Sequence, residues 1–266
     1  MPVTAVDGVG KKYLIKLIGA GEGHISAISE WIAGHLALLA GLPVLTPRLF
    51  MVDSSTKTCV TTDEFYDVLK RSGGVNTGFD FIEGANPYSE ESHAGIFPVE
   101  MLHGIFLFDI FMLNIDRHKN NTNAIVSSGR LYSIDYGVSL LVKCLLTNTD
   151  FTGNEAVYRE LRRNPFYEED IDPEPWLKRL SSIGRSDISK VISEIPNEWM
   201  LALGVDPALM KPMLLEKLFE LINTPDYVLN TLEKLKKTDL PGDEELAKKR
   251  RINLQKFRET LKQKNL

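Results

Sequence analysis

Apolar side chains recur at a helical spacing between residues 25 and 40. The apolar stripe consists of Ile25, Ile28, Ile32, Leu36 and Leu39. Residues three and four apart share one face of a helix, so this pattern predicts an amphipathic helix. Gly41 and Pro43 follow at once and act as a stop signal, which places the end of the helix near residue 40.

Residues 11–18 alternate in the way that is typical of a strand, and Lys16 falls on an otherwise apolar face. A charged side chain in that position needs a partner or a route to solvent. One interpretation is a lysine that extends to solvent from an edge strand. The other is an ion pair with Glu30, which lies off the apolar stripe of the helix. Glu22, in the glycine-rich loop before the helix, competes with Glu30 for that role.

Two further strand-like segments, residues 123–127 and 130–134, are separated by a Ser-Gly pair, which predicts a two-residue hairpin turn. Counting outward from the turn places Asp135 opposite residue 122. Opposed residues in a ladder have Cβ atoms roughly 5 Å apart. The hairpin should therefore bring Asn121 and Asp135 to the same end of the ladder, where one ion could bridge them.

Asp116 and Asn121 are five residues apart in the chain. This is the spacing by which a kinase catalytic loop holds a base for the acceptor hydroxyl and an oxygen ligand for Mg²⁺. Asp135 would be the second metal ligand. Taken alone, Asp-Arg-His could be a surface turn with an ion pair. The agreement between the spacing and the hairpin favours a phosphotransferase.

Residues 113–140 resemble the catalytic region of HipA-like kinases, in a compact branch with the pattern Asn-x-Asp-Arg-x-x-x-Asn-x-Asn followed by Ile-Asp-x-Gly. Lipid kinases of the phosphatidylinositol group share a similar Asp-Arg motif. The resemblance implies a two-lobed atypical kinase fold, ATP, Mg²⁺ and transfer to a serine or threonine hydroxyl. Tyr136 departs from the pattern, because this branch often has histidine there. The departure leaves Asp135 in place and affects only the tuning of the metal site.

The resemblance implies three catalytic residues, Asp116, Arg117 and His118. Asp116 would accept the hydroxyl proton or orient the acceptor, and Arg117 would neutralise charge near the transferring group. His118 would support the loop backbone or Asp116, or would be a half-exposed polar loop residue. The implied metal ligands are Asn121 and Asp135. Lys16 and Glu30 would position the phosphates.

Residues 78–84 resemble the segment that joins the two lobes of a kinase. The adenine would contact the main chain there, at Asp80, Phe81 and Ile82. A short buried strand that ends at Gly84 is the alternative interpretation.

Residues 98–113 form a dense apolar run and predict a buried helix of the C-terminal lobe. A membrane span needs roughly 20 apolar residues, and this run is interrupted by His103 and Asp109, which we interpret as satisfied core or edge groups. The N-terminus shows no charged region followed by an apolar core, so we expect no secretory signal. Two cysteines offer no disulfide framework, and the expected location is the cytoplasm.

The formal net charge of −5 argues against direct nucleic-acid binding. Basic residues are concentrated near the C-terminus, mostly after residue 247. A solvated terminal helix explains this distribution. An interaction arm for an acidic regulatory partner is the alternative, because blocks of like charge often serve as tails.

These patterns predict an α+β, bilobal protein-kinase-like fold. A small sheet-rich N-lobe would span residues 1–84, a mainly helical C-lobe residues 85–238, and a basic C-terminal helix or tail residues 239–266. The predicted function is ATP-dependent phosphorylation of a serine or threonine hydroxyl on a protein substrate, with no membrane span. A lipid or small-molecule kinase and a catalytically weak nucleotide-binding regulatory module are the alternatives.

Overall fold

The computed structural model describes residues 1–21, 23–53, 56–60, 62–150, 153–238 and 240. The N-terminal part forms one antiparallel sheet in the order β1-β2-β4-β3. Its strands are β1 (Pro2–Val6), β2 (Lys12–Lys16), β3 (Arg48–Val52) and β4 (Gly74–Asp80). The strand predicted around Lys16 is therefore confirmed, and it pairs with β4 so that Lys16 lies opposite Thr77.

Two helices accompany this sheet. Helix α1 (His24–Leu39) confirms the helix predicted from the apolar stripe, and Gly41 follows it in the left-handed conformation with φ 75°. Helix α2 (Asp63–Arg71) begins at Thr62, whose hydroxyl accepts a hydrogen bond from the main-chain N–H of Phe65. Such a cap satisfies one of the free N–H groups at a helix start.

The predicted hairpin is confirmed between β6 (Ala124–Ser127) and β7 (Arg130–Ser133), with Ser127 opposite Arg130. Its two turn residues, Ser128 and Gly129, have φ angles of 50° and 71°. Positive φ at both central positions is the requirement of a type I′ turn, which matches the natural twist of a hairpin. A short strand, β5 (Asn86–Pro87), extends this sheet on the β6 side.

The rest of the described chain is helical. The helices are α3 (Glu90–His93), α4 (Val99–Met112), α5 (Leu140–Thr147), α6 (Glu155–Arg162), α7 (Glu174–Ser181), α8 (Arg185–Ser193), α9 (Asn197–Ala202), α10 (Pro207–Ile222) and α11 (Asp226–Lys236). Helix α4 is buried from residue 104 to its end, as its apolar sequence predicts. No helix within the described ranges has both the length and the apolar character that crossing a membrane requires.

The side chains of the described residues pack into a small core and a large one. Ile15, Leu17, Val52 and Val68 form the small core between the sheet and α2. Helix α1 instead contributes its buried apolar face to the large core, together with α4 and the later helices. Helix α1 also contacts β4, and it thereby joins the N-terminal sheet to the C-terminal helices.

The fold class predicted from the sequence, a small sheet followed by a mainly helical part in a bilobal kinase-like arrangement, is confirmed. The division at residue 84 stays a prediction, since α1 precedes it and packs in the large core. The predicted basic helix or tail over residues 239–266 lies, apart from Leu240, outside the described residues.

Gly34 lies on α1 where a Cβ atom would overlap the Cγ atom of Pro47. Replacing glycine by alanine inside a helix usually stabilises it by about 1 kcal/mol. Here we expect Gly34→Ala to lower the free energy of unfolding by about 1–3 kcal/mol, because the core would be overpacked. Urea denaturation measures the change. The loss should shrink in a Pro47→Ala background, and an equal loss in both backgrounds would contradict this explanation.

Candidate active site

Three charged side chains that are distant in sequence meet beside the sheet. The Nζ atom of Lys16 lies 2.5 Å from Oε2 of Glu30 and 2.8 Å from Oδ1 of Asp135. The side chains are progressively more exposed, from 2% for Glu30 through 21% for Lys16 to 44% for Asp135. The cluster therefore leads from the interior to solvent, with Asp135 at the accessible end.

The three side chains are positioned by different elements. Lys16 ends β2 and Glu30 lies in the middle of α1. Asp135 follows β7 and has a φ of 63°, which turns the chain sharply. The next residue, Tyr136, donates its main-chain N–H to Oε1 of Glu30 at 3.3 Å. Gly137 lies so close to α1 that a Cβ atom there would be 3.2 Å from Oε2 of Glu30.

The charges in this cluster stabilise one another. Burial favours the neutral amine and would lower the pKa of Lys16, but the carboxylates of Glu30 and Asp135 outweigh it, so the pKa of Lys16 is raised. Burial would also raise the pKa of Asp135, but the Lys16 ammonium, Arg117 and the N–H of Gly137 hold it below its usual value. Lys16 and Asp135 are therefore both ionised at neutral pH.

The loop of residues 116–123 holds the carboxylate of Asp116 with two amides. Asn121 donates its Nδ2 to Oδ2 of Asp116 at 2.8 Å, and Asn123 donates its Nδ2 to the same oxygen at 3.0 Å. Asp116 is thus fixed through one oxygen, and its other oxygen can serve as a base. Because Asn121 uses its amide nitrogen here, its amide oxygen is the atom suited to a cation.

The structure brings Asn121 and Asp135 to the same end of the hairpin. The β6–β7 ladder continues to a hydrogen bond from the N–H of Ile134 to the carbonyl of Asn123 at 2.9 Å. Beyond it, Asn121 contacts Asp116 and Asp135 contacts Lys16. Within the described part of the chain, no group of three or more His, Cys, Asp or Glu side chains is arranged to hold a metal. A site here would use one carboxylate and one amide oxygen.

His118 closes the loop through its main chain. Its N–H donates to the carbonyl of Asn121 at 3.0 Å, and the N–H of Asn121 donates back at 2.9 Å. Its Nδ1 atom accepts the N–H of Asn120 at 3.3 Å. His118 is half-buried, and these contacts fit the interpretation in which it supports the loop backbone.

Arg117 does not have the surroundings expected from the sequence. Its side chain is fully buried, and its Nε donates to Oδ2 of Asp109 at 2.5 Å. Its Nη1 donates to the carbonyls of Thr122 and Asn123, and its Nη2 donates to Oγ of Ser133 at 2.8 Å. The guanidinium of Arg117 binds the loop from inside the protein and positions it. A role of its charge near the transferring group stays a prediction.

Asp109 has a larger structural role than the sequence pattern predicts. It is fully buried on α4 and accepts hydrogen bonds from Nδ2 of Asn114 at 2.8 Å and Nδ2 of Asn164 at 2.7 Å, besides Arg117. Asp109 is a core group whose hydrogen bonds are satisfied, as interpreted from the sequence. It also fixes the start of the loop, because Asn114 and Arg117 both bind it. The available signal was a carboxylate within the apolar second half of α4, eight residues before Arg117.

Tyr136 lies beneath the loop with its side chain only 1% exposed. Its hydroxyl is 2.6 Å from Oγ of Ser133, and its ring centroid is 5.5 Å from the guanidinium carbon of Arg117. Burial raises the pKa of Tyr136 well above its usual value, so the phenol stays neutral. The substitution of tyrosine for the histidine of the related pattern therefore acts on the interior support of the loop.

In the segment at the end of β4, some of the groups expected to contact an adenine already form bonds within the N-terminal sheet. The carboxylate of Asp80 pairs with Nζ of Lys11 at 3.2 Å and with Nε of Arg48 at 3.2 Å. The N–H of Phe81 donates to the carbonyl of Lys12 at 3.2 Å. The Phe81 amide expected to face an adenine is thus used within the sheet, and Ile82 is the next main-chain position that could serve.

A cavity of about 420 Å³ opens beside the loop of residues 116–123. It is lined by Pro87, Tyr88, Lys119, Asn120, Asn121, Thr122, Asn123, Ala124, Ile125 and Ile134. The loop contributes polar groups, and the hairpin contributes the apolar side chains of Ile125 and Ile134. A ligand with both polar and apolar groups suits such a lining.

Removing the charge of Asp109 tests the anchor beneath the loop. Asp109→Asn would leave the buried guanidinium of Arg117 without its counterion, and breaking a buried pair from one side costs about 3–5 kcal/mol of stability. We expect a loss of that size in chemical denaturation. Glu155→Gln, which removes an exposed partner of Arg159, should leave the free energy of unfolding nearly unchanged. Similar small effects of both variants would contradict the anchoring role.

The chain is similar to known kinases. Phosphatidylinositol 4-kinase gamma 2 of Arabidopsis thaliana is 28% identical over 188 residues, which cover 65% of this chain and 31% of the relative. The chain thus spans about a third of the length of that relative. The proinflammatory kinase CtkA of Helicobacter pylori aligns with a TM-score of 0.49 and 12% identity, over 88% of this chain and 95% of the other. The model of the HipA-like kinase family matches residues 5–229. This match spans well over half of the chain, which therefore belongs to the HipA-like kinase family.

Proposed function

We propose that this protein transfers the γ-phosphate of ATP to a serine or threonine hydroxyl of a protein substrate in the cytoplasm. The observation that carries the proposal is the convergence of Lys16, Glu30 and Asp135 next to the loop that holds Asp116. Kinases use a strand lysine paired with a helix glutamate, a metal-binding aspartate and a loop aspartate in this combination.

The nucleotide would bind between the sheet and the β6–β7 hairpin. Lys16 would contact the phosphates, because its ammonium is fixed by Glu30 and remains charged. Ile125 and Ile134 would provide an apolar floor for the base. The main chain of Ile82 would contact the edge of the base, since the N–H of Phe81 is already bonded within the sheet.

The residues fit a magnesium ion that arrives with the nucleotide. Mg²⁺ prefers oxygen ligands, keeps several waters and is usually held by one or two carboxylates together with the substrate phosphates. Asp135 would supply the carboxylate and Asn121 the amide oxygen. Mg·ATP, when bound, supplies a phosphoryl group whose charge is partly neutralised. Asp135 is exposed enough to be reached, and its lowered pKa keeps it in the anionic form that binds a cation.

Asp116 would act on the acceptor. Both amide contacts occupy one of its oxygens, so the other can accept the proton of a hydroxyl or orient that hydroxyl. A general base must lie within hydrogen-bonding reach of the proton it removes. Asn121 joins the two functions, because it binds Asp116 through nitrogen and would bind the metal through oxygen.

A lipid or small-molecule kinase is the second candidate. The observation that favours it is the similarity to a phosphatidylinositol 4-kinase over 188 residues. The same residues would act in both reactions, and only the acceptor would differ. Transfer of labelled phosphate separates the two, because the label enters either the protein fraction or the organic extract.

Asp135→Ala should abolish Mg²⁺-dependent nucleotide binding without unfolding the protein, because it removes the only carboxylate of the proposed metal site. Losing even an outer-shell partner of a metal costs about 10–100-fold in affinity, so we expect a loss of at least that size. Isothermal titration with Mg·ATP measures it. Asp67→Ala, on the exposed face of α2, is the control and should bind normally. Unchanged affinity of a folded Asp135→Ala protein would remove Asp135 from the site.

Asp116→Asn should separate binding from chemistry. The amide is nearly isosteric, so nucleotide affinity should stay close to that of the wild type, whereas loss of a general base lowers the rate by about 10²–10⁴-fold. Radiolabel transfer from ATP into the protein and organic fractions of a cell extract measures the rate. Wild-type transfer by Asp116→Asn would refute the role of this loop, and label confined to the organic fraction would favour the lipid kinase.

A further inference from the structure

Helix α9 reaches the N-terminal sheet with two neighbouring side chains, Glu198 and Trp199. The N–H of Val75 in β4 donates to Oε1 of Glu198 at 2.8 Å. The Nε1 of Trp199 donates to the carbonyl of the same Val75 at 2.8 Å. Both main-chain polar groups of one strand residue are therefore satisfied by side chains of a C-terminal helix.

These contacts replace a missing strand. The β2–β4 ladder ends where Lys16 lies opposite Thr77, two residues after Val75 in β4. On this side of β4, the polar groups of Val75 lie beyond the last paired residue of β2, and the side chains of α9 bind them instead. Gly74 permits the approach, because it has a φ of 108° and a Cβ atom there would lie 2.9 Å from Oε1 of Glu198. The side chains of α9 thus continue the ladder directly beyond the end of β2 that carries Lys16.

Helix α1 is attached to the same region. Trp31 donates its Nε1 to the carbonyl of Val191 in α8 at 3.0 Å, in a buried hydrogen bond. Trp31 immediately follows Glu30, so this bond limits the rotation of α1 that would carry Glu30 away from Lys16. Helix α1 also packs against α8 and α9. The strand side and the helix side of the Lys16–Glu30 pair are therefore both anchored to α8 and α9.

We infer that Glu198 and Trp199, together with Trp31, are positioning residues that hold Lys16 and Glu30 at bonding distance for nucleotide binding. The inference rests on the proposed nucleotide site. Trp199 is fully buried and donates its only polar hydrogen to β4. Loss of the anchor frees β4 and α1 to move against the helices, which separates the two charges and weakens the hold on the phosphates.

The first experiment compares two tryptophans that differ in their hydrogen bonding. Trp199→Phe removes the indole N–H that holds Val75. Trp176→Phe makes the same chemical change in the large core, where the indole Nε1 is buried with no hydrogen-bond partner within the described structure. Titration with the non-hydrolysable Mg·AMP-PNP should show an affinity about fivefold lower for Trp199→Phe, the size expected for coupled neighbours, and little change for Trp176→Phe.

Glu198 provides a second variant pair that avoids any change in the core. Glu198→Gln keeps an oxygen that can accept the N–H of Val75, whereas Glu198→Ala removes it. We expect Glu198→Ala to bind Mg·AMP-PNP more weakly and to exchange the amide hydrogens of β4 and α1 faster, and Glu198→Gln to restore both properties. In a Glu30→Gln background, Glu198→Ala should have little further effect on affinity, because the pair through which it acts is already broken.

Two results would overturn the inference independently of the proposed function. One is wild-type nucleotide affinity in both Trp199→Phe and Glu198→Ala, and the other is unchanged amide exchange in β4 and α1 of Glu198→Ala. A wild-type protein that binds no Mg·AMP-PNP would instead overturn the proposed function, together with the role in nucleotide binding inferred here.

Discussion

The buried ion pair between Asp109 and Arg117 is the interaction on which the rest of the candidate active site depends. Moving two charges out of water is costly, and such a pair is tolerated only when its remaining donors and acceptors are satisfied. Here Asp109 also accepts from two asparagine amides, and Arg117 also donates to two loop carbonyls and to Ser133. These partners lie just after α4, in the loop, in β7 and just after α6. Satisfying the two charges therefore fixes the loop on the hairpin and on the helices.

A second charged cluster lies on the opposite side of the same hairpin end, and Tyr136 connects the two. Its hydroxyl contacts Ser133, which binds Arg117, and its main-chain N–H binds Glu30, which binds Lys16. The Asp109–Arg117 pair is fully buried and supports the structure, whereas the cluster of Lys16, Glu30 and Asp135 ends at the half-exposed carboxylate of Asp135. The segment of residues 133–136 is therefore held by buried contacts on its inner side, while Asp135 remains accessible to a ligand on its outer side.

The position of α1 decides how the two parts of the molecule are related. Its apolar face lies in the large core, and its edge carries Glu30 toward the sheet. The small core beneath the sheet has few buried apolar residues, so hydrophobic burial within that part alone stabilises it weakly. Contacts from α8 and α9 to Trp31 and Val75 add the directional hydrogen bonds that nonpolar packing does not supply.

Local sequence determined the elements whose signals are short-range. The apolar spacing on α1, the alternation of β6 and β7 and the two turn residues between them each act within a few neighbouring positions, and the loop motif follows from spacing alone. Only the tertiary structure decided which polar side chains turn inward. Arg117 and Asp116 are adjacent in the same polar loop, and Arg117 is buried because Asp109, on α4, presents a carboxylate beneath it. Likewise, nothing near Val75 in sequence indicates that Glu198 and Trp199 will complete its hydrogen bonds. Partners separated by more than a hundred residues are selected by the packing of whole elements, and no local pattern encodes that choice.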